Sequence, residues 1–235
     1  MKSRIKLNKS QDLFYFRDGK IILGFTKRSL DFSLGEPKRK ENFLKVFREL
    51  GISPWRIVEV SQEHRGEVLR FSRGKARSRI FKGYDGIFTP DPGVFLGIRT
   101  ADCLPLFFWD EKHIGILHCG FRSLKEGIIE SLSRCLFLGN LYFFIGPGIR
   151  KCCYRLSLNF VRYFEDKYYI RRKKNGFFLD LPGVLKEKLL LLGARRDRIY
   201  DGGLCTSCKR ELFFSYKVEN THQRMLNFIV RDESL

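Results

Sequence analysis

The sequence predicts one mixed α/β domain spanning residues 1–235. Three observations carry that expectation. Short apolar runs of strand length alternate with stretches whose apolar residues recur at helical spacing. Some neighbouring strand candidates are joined by turns too short for a crossover, so antiparallel hairpins stand among the interleaved helices. No internal repeat, low-complexity tract or linker divides the chain, and its length suffices to bury a full core.

The elements follow in order. Leu13 to Arg17 and Lys20 to Thr26 flank Asp18-Gly19 and read as a β-hairpin, because Asp-Gly suits the φ > 0 positions of a type I′ turn. Phe43, Leu44, Val46, Phe47 and Leu50 share a helical face, with Gly51 as the C′ stop. Ser53-Pro54 breaks the chain, and Arg56 to Ser61 alternates like a strand. Asp85 to Phe88 and Val94 to Ile98 are further strands around Pro90-Asp-Pro-Gly93. Leu104 to Trp109 and Ile114 to Leu117 have the length and content of buried strands, with Asp110-Glu-Lys112 as their turn. Leu124, Ile128, Ile129, Leu132 and Leu136 form one helical stripe, so a strand becomes a helix at Cys119-Gly120-Phe121. Leu141 to Ile145 is a strand before the Gly146-Pro-Gly148 loop, and Leu158 to Phe164 reads as helical. Arg171 to Lys174 is a charged turn, and Phe177 to Leu181 leads into a helix from Val184 to Leu192. Ile199, Leu212 to Tyr216 and Met225 to Val230 read as late strands.

Composition narrows the function classes. No run approaches the roughly 18 apolar residues of a membrane span, and the first residues lack the apolar core of a secretory signal. A cytoplasmic, monomeric protein without a membrane role is expected. Seven Cys, an odd number in such a chain, argue against a disulfide framework and for free thiols, metal ligands or a catalytic thiol. The formal charge of +19, with pI near 9.8, permits anionic ligands. The most basic stretch, Arg65 to Lys82, holds seven Lys/Arg against Glu67. Its only aromatics are Phe71 and Phe81, and no zinc-finger or RRM spacing accompanies it, so a solvated basic ribbon is expected rather than a specific nucleic-acid reader.

Two constellations carry chemistry. A hairpin of Leu104–Trp109 with Ile114–Leu117 brings Cys103 and His118 together at its outer end, and His64 also closes a predicted strand. The spacings of 39 and 15 residues are too long for a zinc-finger knuckle. Catalytic zinc uses three protein ligands and one open position. From spacing alone, a metal triad and packed core histidines both remain open. The second constellation is Cys205-Thr-Ser-Cys208 with Cys152-Cys153. Adjacent strand residues face opposite ways, which predicts structural thiols there and no four-ligand site. The Gly120 turn, with Arg122 in the first helical turn, is a candidate anion site.

The motifs resemble a known family. Thr100-Ala-Asp-Cys103-Leu-Pro and His118-Cys-Gly-Phe-Arg122 are similar to the TADCLPV and HAGWRG motifs of the YfiH-like family, also called the laccase-type polyphenol oxidase or DUF152 family. Gln62-Glu-His64 resembles its Q-x-H motif, Asp85 to Gly93 its D-A-x-x-T-x-x-P-G segment, and Ile145 to Tyr154 its IGPSI…CCYEV segment. Phe178-Leu-Asp180-Leu, Cys205-Thr206, Phe213 to Tyr216 and Arg224 to Ile229 follow in the family's order. Departures are Arg65 for a Gly, Phe121 for the Trp, Ser123 for a Gly, Leu185 for an Asn, and His222-Gln223 for Thr-Gly.

The resemblance implies a four-layer α/β/β/α sandwich with mixed sheets. It implies His64, Cys103 and His118 as the ligands of a catalytic zinc. It also implies phosphorolysis of adenosine, inosine, guanosine and methylthioadenosine, and deamination of adenosine. Purine nucleoside and phosphate are then the partners. Gly120 and Arg122 become candidates for the phosphate, and Phe121 and Tyr216 for the base. Asp102, Glu63 and Asp85 lie near the motifs as carboxylates without an assigned role. A copper oxidase is the competing reading, but four His and no H-x-H pair fit zinc better.

Overall fold

The computed structural model describes residues 5–54, 56–72, 80–161, 163–172 and 176–232. The basic stretch is therefore described only at its two ends, and of the charged turn expected at Arg171 to Lys174 the first two residues end a strand while Lys173 and Lys174 lie outside the described residues.

Strands β1 (Asn8–Lys9), β2 (Leu13–Asp18) and β3 (Ile21–Thr26) are followed by helix α1 (Arg39–Leu50). Next come β4 (Arg56–Val60), β5 (Val68–Arg70), β6 (Ile80–Phe81), β7 (Gly86–Thr89) and β8 (Val94–Thr100). The hairpin β9 (Leu104–Trp109) and β10 (Ile114–Cys119) leads into α2 (Phe121–Lys125) and α3 (Ile128–Ser133). Then follow β11 (Tyr142–Ile145), β12 (Arg155–Leu156), α4 (Leu158–Val161), β13 (Tyr169–Arg172), β14 (Gly176–Leu179) and α5 (Leu181–Leu191). The chain closes with β15 (Ile199–Asp201), α6 (Tyr216–Glu219) and β16 (Met225–Arg231).

Three mixed or antiparallel sheets result. The largest has the order β1-β2-β3-β16-β8-β4-β6, the second β15-β11-β9-β10-β7-β5, and a small one β12-β14-β13. The last strand, β16, sits mid-sheet, antiparallel to both β3 and β8. Period-two alternation assigns its residues to two cores. Met225 and Ile229 join the core between the two large sheets, whereas Leu226, Phe228 and Val230 pack with α1 residues Phe43, Val46 and Leu50. The second sheet does likewise. Phe107 and Trp109 face the inter-sheet core, and Leu104, Leu106 and Phe108 face a third core against α2, α3 and α5. Among the described residues, no helix is long and apolar enough to cross a membrane.

The hairpins, α1 and most strands stand where the sequence places them. Three expectations are corrected. The single stripe from Leu124 to Leu136 is two short helices, because the chain adopts φ 83° at Gly127, outside the helical basin. The helix expected from Leu158 to Phe164 is one turn. Leu212 to Tyr216 is no strand. Leu212 and Phe213 donate their N–H to the Lys209 carbonyl in a turn, and Phe213 and Phe214 are buried from a loop. That run is apolar because it fills the inter-sheet core.

Candidate active site

The β9–β10 register pairs Leu104 with Cys119 and Pro105 with His118. Cys103, in the bend before β9, thus meets His118 at the hairpin's open end. His64 arrives from the loop after β4. Its Nε2 lies 3.9 Å from Cys103 Sγ, and the His64 and His118 rings stand edge to face with centroids 4.6 Å apart. The three side-chain ligand atoms all lie within 4.8 Å of one another. His118 is buried, while His64 and Cys103 are partly open.

Asp85 organises this geometry. It precedes β7, which pairs with β10, and its carbonyl accepts the His118 N–H at 2.8 Å. Its fully buried carboxylate accepts from His118 Nδ1 at 3.3 Å, leaving His118 Nε2 for the cluster. The same carboxylate accepts the backbone N–H of His64 (2.7 Å), Arg65 (2.5 Å) and Gly66 (3.1 Å). One side chain therefore orients the His118 imidazole and holds the backbone turn that carries His64. Gln62, His64 and Asp102 all sit at positive φ, of 65°, 61° and 96°. Non-glycine residues tolerate this only where surroundings over-determine the backbone. Gln62 exchanges two hydrogen bonds with the Arg99 backbone, and Asp85 holds the His64 turn. Asp102 accepts from the Thr206 hydroxyl (2.6 Å), the Ser215 hydroxyl (2.8 Å) and the Lys217 N–H (2.6 Å).

Electrostatics follow from this packing. Burial raises the Cys103 thiol, but the His118 charge and hydrogen bonds from both histidines bring it down to about 6. Burial lowers His118, yet the Cys103 thiolate and the Asp85 carboxylate lift it to about 9. Without metal, Cys103 and His118 form a thiolate–imidazolium pair near neutral pH. The donor set suits zinc. Tetrahedral zinc with nitrogen and sulfur ligands spaces them about 3.6 Å apart, close to the 3.9 Å between His64 and Cys103. Gly120 is the residue that lets the turn approach: a Cβ there would lie 2.8 Å from Cys103 Sγ.

Two cavities share His64, Cys103, Ala101 and Tyr216. One, of about 410 Å³, is lined by polar groups that include Ser61, Gln62, Arg99 and Arg224. The other, of about 400 Å³, has an apolar wall of Phe121, Ile149, Tyr154, Leu156 and Phe160, with Arg122 and Lys217 at its rim. Tyr216 is half exposed between them, with the Arg224 guanidinium 5.8 Å from its ring centroid. Arg122 is exposed, and no carboxylate pairs with it among the described residues. Phe121 lines the apolar cavity but is mostly buried, edge-on against Phe160, Tyr163 and Phe164. Sequence reasoning missed Arg99, Arg224, Tyr154 and Lys217 as lining residues. Arg224 opens one matched motif block and Tyr154 closes another, and those were the available signals. None of the three carboxylates near the motifs is a free acid: Asp85 and Asp102 are saturated, and Glu63 accepts from Ser61, Gly83 and Arg65 outside both cavities.

Residues 29–232 match the family model described as multi-copper polyphenol oxidoreductase laccase. The chain belongs to this family. Within the laccase-type family it is 32% identical over 167 residues to the purine nucleoside phosphorylase YlmD of Geobacillus stearothermophilus, a match covering 64% of this chain and 61% of that one. The chain thus spans less than two thirds of that relative. It is 33% identical over 190 residues to a purine nucleoside phosphorylase of Staphylococcus epidermidis, covering 75% of this chain and 69% of the relative. The crystal structure of Bacillus licheniformis hypothetical protein YfiH superposes with TM-score 0.85 at 25% identity, covering 95% and 98% of the two chains. That of YlmD from Geobacillus stearothermophilus gives 0.86 at 23% identity, covering 99% and 100%, and shows the same mixed α/β fold.

Proposed function

We propose that this laccase-type chain acts as one catalytic unit, a zinc-dependent purine nucleoside phosphorylase whose second reaction is adenosine deamination. The observation that carries this reading is the convergence of His64, Cys103 and His118 where a polar and an apolar cavity meet. The relatives named purine nucleoside phosphorylase support it. Adenosine, inosine, guanosine and methylthioadenosine are the proposed nucleosides.

Held by His64, Cys103 and His118, zinc would supply Lewis acidity at the pocket floor. The chain's own residues do the rest. The exposed Tyr216 ring and the wall beside Phe121 receive the purine. Arg122 and the backbone at Gly120 receive phosphate, because Arg122 is not occupied by a carboxylate whereas Arg99 is bound to Glu59 at 3.0 Å. A phosphate oxygen then attacks C1′ of the ribose, the C1′–N bond breaks, and its electron pair leaves with the purine. Fixing both reactants in one cavity removes much of the entropic cost of their encounter. The inventory disfavours copper oxidase chemistry. Of the four His, His113 lies by Asp110 on a surface turn and His222 is exposed, so only two converge.

The test is chromatography of inosine and adenosine incubated with zinc-loaded enzyme, with and without phosphate. Hypoxanthine and adenine are expected with phosphate and nearly absent without it. Arg122→Ala is expected to raise the phosphate requirement at unchanged zinc content, losing about 2–4 kcal/mol of transition-state binding. No product from a fully loaded site contradicts the purine reading. Unchanged phosphate dependence in Arg122→Ala contradicts only the role of that residue.

A further inference from the structure

We propose that Cys152, Cys153, Cys205 and Cys208 form a second metal site, a mononuclear four-thiolate zinc centre that fastens two loops behind the active site. This goes beyond the functional reading above and does not depend on it. The sulfurs converge without any bond between them. Cys152–Cys205, Cys152–Cys208 and Cys153–Cys208 are each 3.4 Å apart, and all four lie within 4.8 Å of one another. Four thiolates around one tetrahedral zinc stand about 3.8 Å apart, inside that range. An iron–sulfur cluster places its own sulfides and several irons among the thiolates and needs a wider cage.

The backbone explains how adjacent cysteines reach one point. Sequence reasoning treated Cys152 and Cys153 as strand residues with opposed faces. They lie instead in a turn, in which Cys153 and Tyr154 donate their N–H to the Arg150 carbonyl at 2.8 Å each. Alternation does not apply there. Cys205 and Cys208 lie in a second turn, closed by Lys209 N–H to the Cys205 carbonyl at 3.0 Å. The two turns are tied together before any metal arrives. Gly148 bridges Cys205, Arg150 forks onto Asp201 at 3.1 and 2.5 Å, and Arg150 Nε donates to the Leu204 carbonyl at 3.1 Å. A site fixed in this way costs little ordering entropy when it binds.

Burial and charge agree. Cys205 is buried, whereas Cys152 and Cys208 are exposed, so a metal enters from solvent and is closed from below. Zinc(II) keeps its oxidation state on binding, and the thiol protons pass to solvent. The centre then carries a net charge of −2, which Arg150, Lys151, Lys209 and Arg210 flank in sequence. The site also reaches the chemistry. Thr206, next to Cys205, donates to Asp102, and Ile149 donates its N–H to the Asp102 carbonyl at 2.7 Å. Asp102 holds its φ of 96° immediately before Cys103. The cluster thus also braces the bend that carries Cys103.

The experiment is elemental analysis of the full chain, purified under reducing conditions without added metal. Two zinc per chain are expected. Cys205→Ser with Cys208→Ser should retain one, and Cys103→Ala should retain the other. With cobalt(II) in place of zinc, the double variant should lose about four fifths of the thiolate-to-metal charge-transfer intensity, since four of five thiolates belong to this site. If the double variant does not fold, alkylation of the wild-type chain followed by intact mass decides. Five thiols, Cys103 and the four of this cluster, should be protected until a chelator is added, and peptide mapping should place four of them at 152, 153, 205 and 208. One zinc per chain, with Cys152, Cys153, Cys205 and Cys208 alkylated equally with and without chelator, overturns the proposal. A disulfide among them in the reduced preparation overturns it as well.

Discussion

The two thiol clusters of this chain are built differently. Cys103 sits with two imidazoles at the ends of paired strands, on a buried carboxylate, and opens into two cavities. The four cysteines at 152, 153, 205 and 208 sit in two surface turns and complete one another. A mixed nitrogen–sulfur set with three ligands leaves room for substrate, whereas four thiolates leave none. The difference teaches that ligand count and support, rather than the presence of thiols, separate a reactive centre from a fastening one.

The largest effect expected is at Cys103. Cys103→Ala should abolish both metal binding at the strand-end site and phosphorolysis, and should lower the melting temperature of a chain that still folds, since the bound metal and the thiolate–imidazolium pair are both lost. Elemental analysis, activity and thermal unfolding check this together. Full activity in a variant lacking that metal would erase the distinction between the clusters.

The next effect is on pH. Between about 6 and 9 the metal-free site holds its proton on His118 and not on Cys103. Zinc must displace that proton, so affinity should rise about tenfold per pH unit across this window, and faster below about 6, where Cys103 is protonated too. Folding stability behaves otherwise. The depressed Cys103 pKa contributes stability that is lost as pH falls towards 6. The raised His118 pKa contributes stability that is lost as pH rises towards 9. From about 6.5 to 9 the folded and unfolded chains hold equal numbers of protons on this pair, and the two slopes cancel. Metal titrations and unfolding of the metal-free chain at several pH values separate these outcomes.

How much of this was legible in the sequence depends on the range of the interaction. The hairpin ending at Cys103 and His118 is local, so apolar run lengths and one turn sufficed to predict their meeting. His64 was legible only as a strand-end histidine, with a metal triad and core packing both open, because its position comes from an Asp85 carboxylate contributed 21 residues later. The cysteine cluster was misread for a local reason: alternation was assumed where the backbone turns. Phe213 and Phe214 misled similarly, since burial in a core resembles strand composition. Mid-sheet insertion of β16 between β3 and β8 is a long-range pairing that no periodicity encodes.

The smallest effects separate carboxylates that look alike in sequence. Asp85→Asn keeps the shape but weakens the hold on His118 and on the His64 turn. Loss of such an outer partner costs about 10- to 100-fold in metal affinity or activity. Glu63→Gln should change activity within about twofold, because its ion pair with Arg65 is at the surface. Equal losses in the two variants would mean that Asp85 does not position the site.

Anomalous diffraction at the zinc edge, from crystals of the full chain purified without added metal, tests the central claim most directly. The account predicts one peak between His64 Nε2, Cys103 Sγ and His118 Nε2, bordered by the two cavities, and a second inside the four cysteines. Density for zinc elsewhere, with the three strand-end ligands bare, would contradict it.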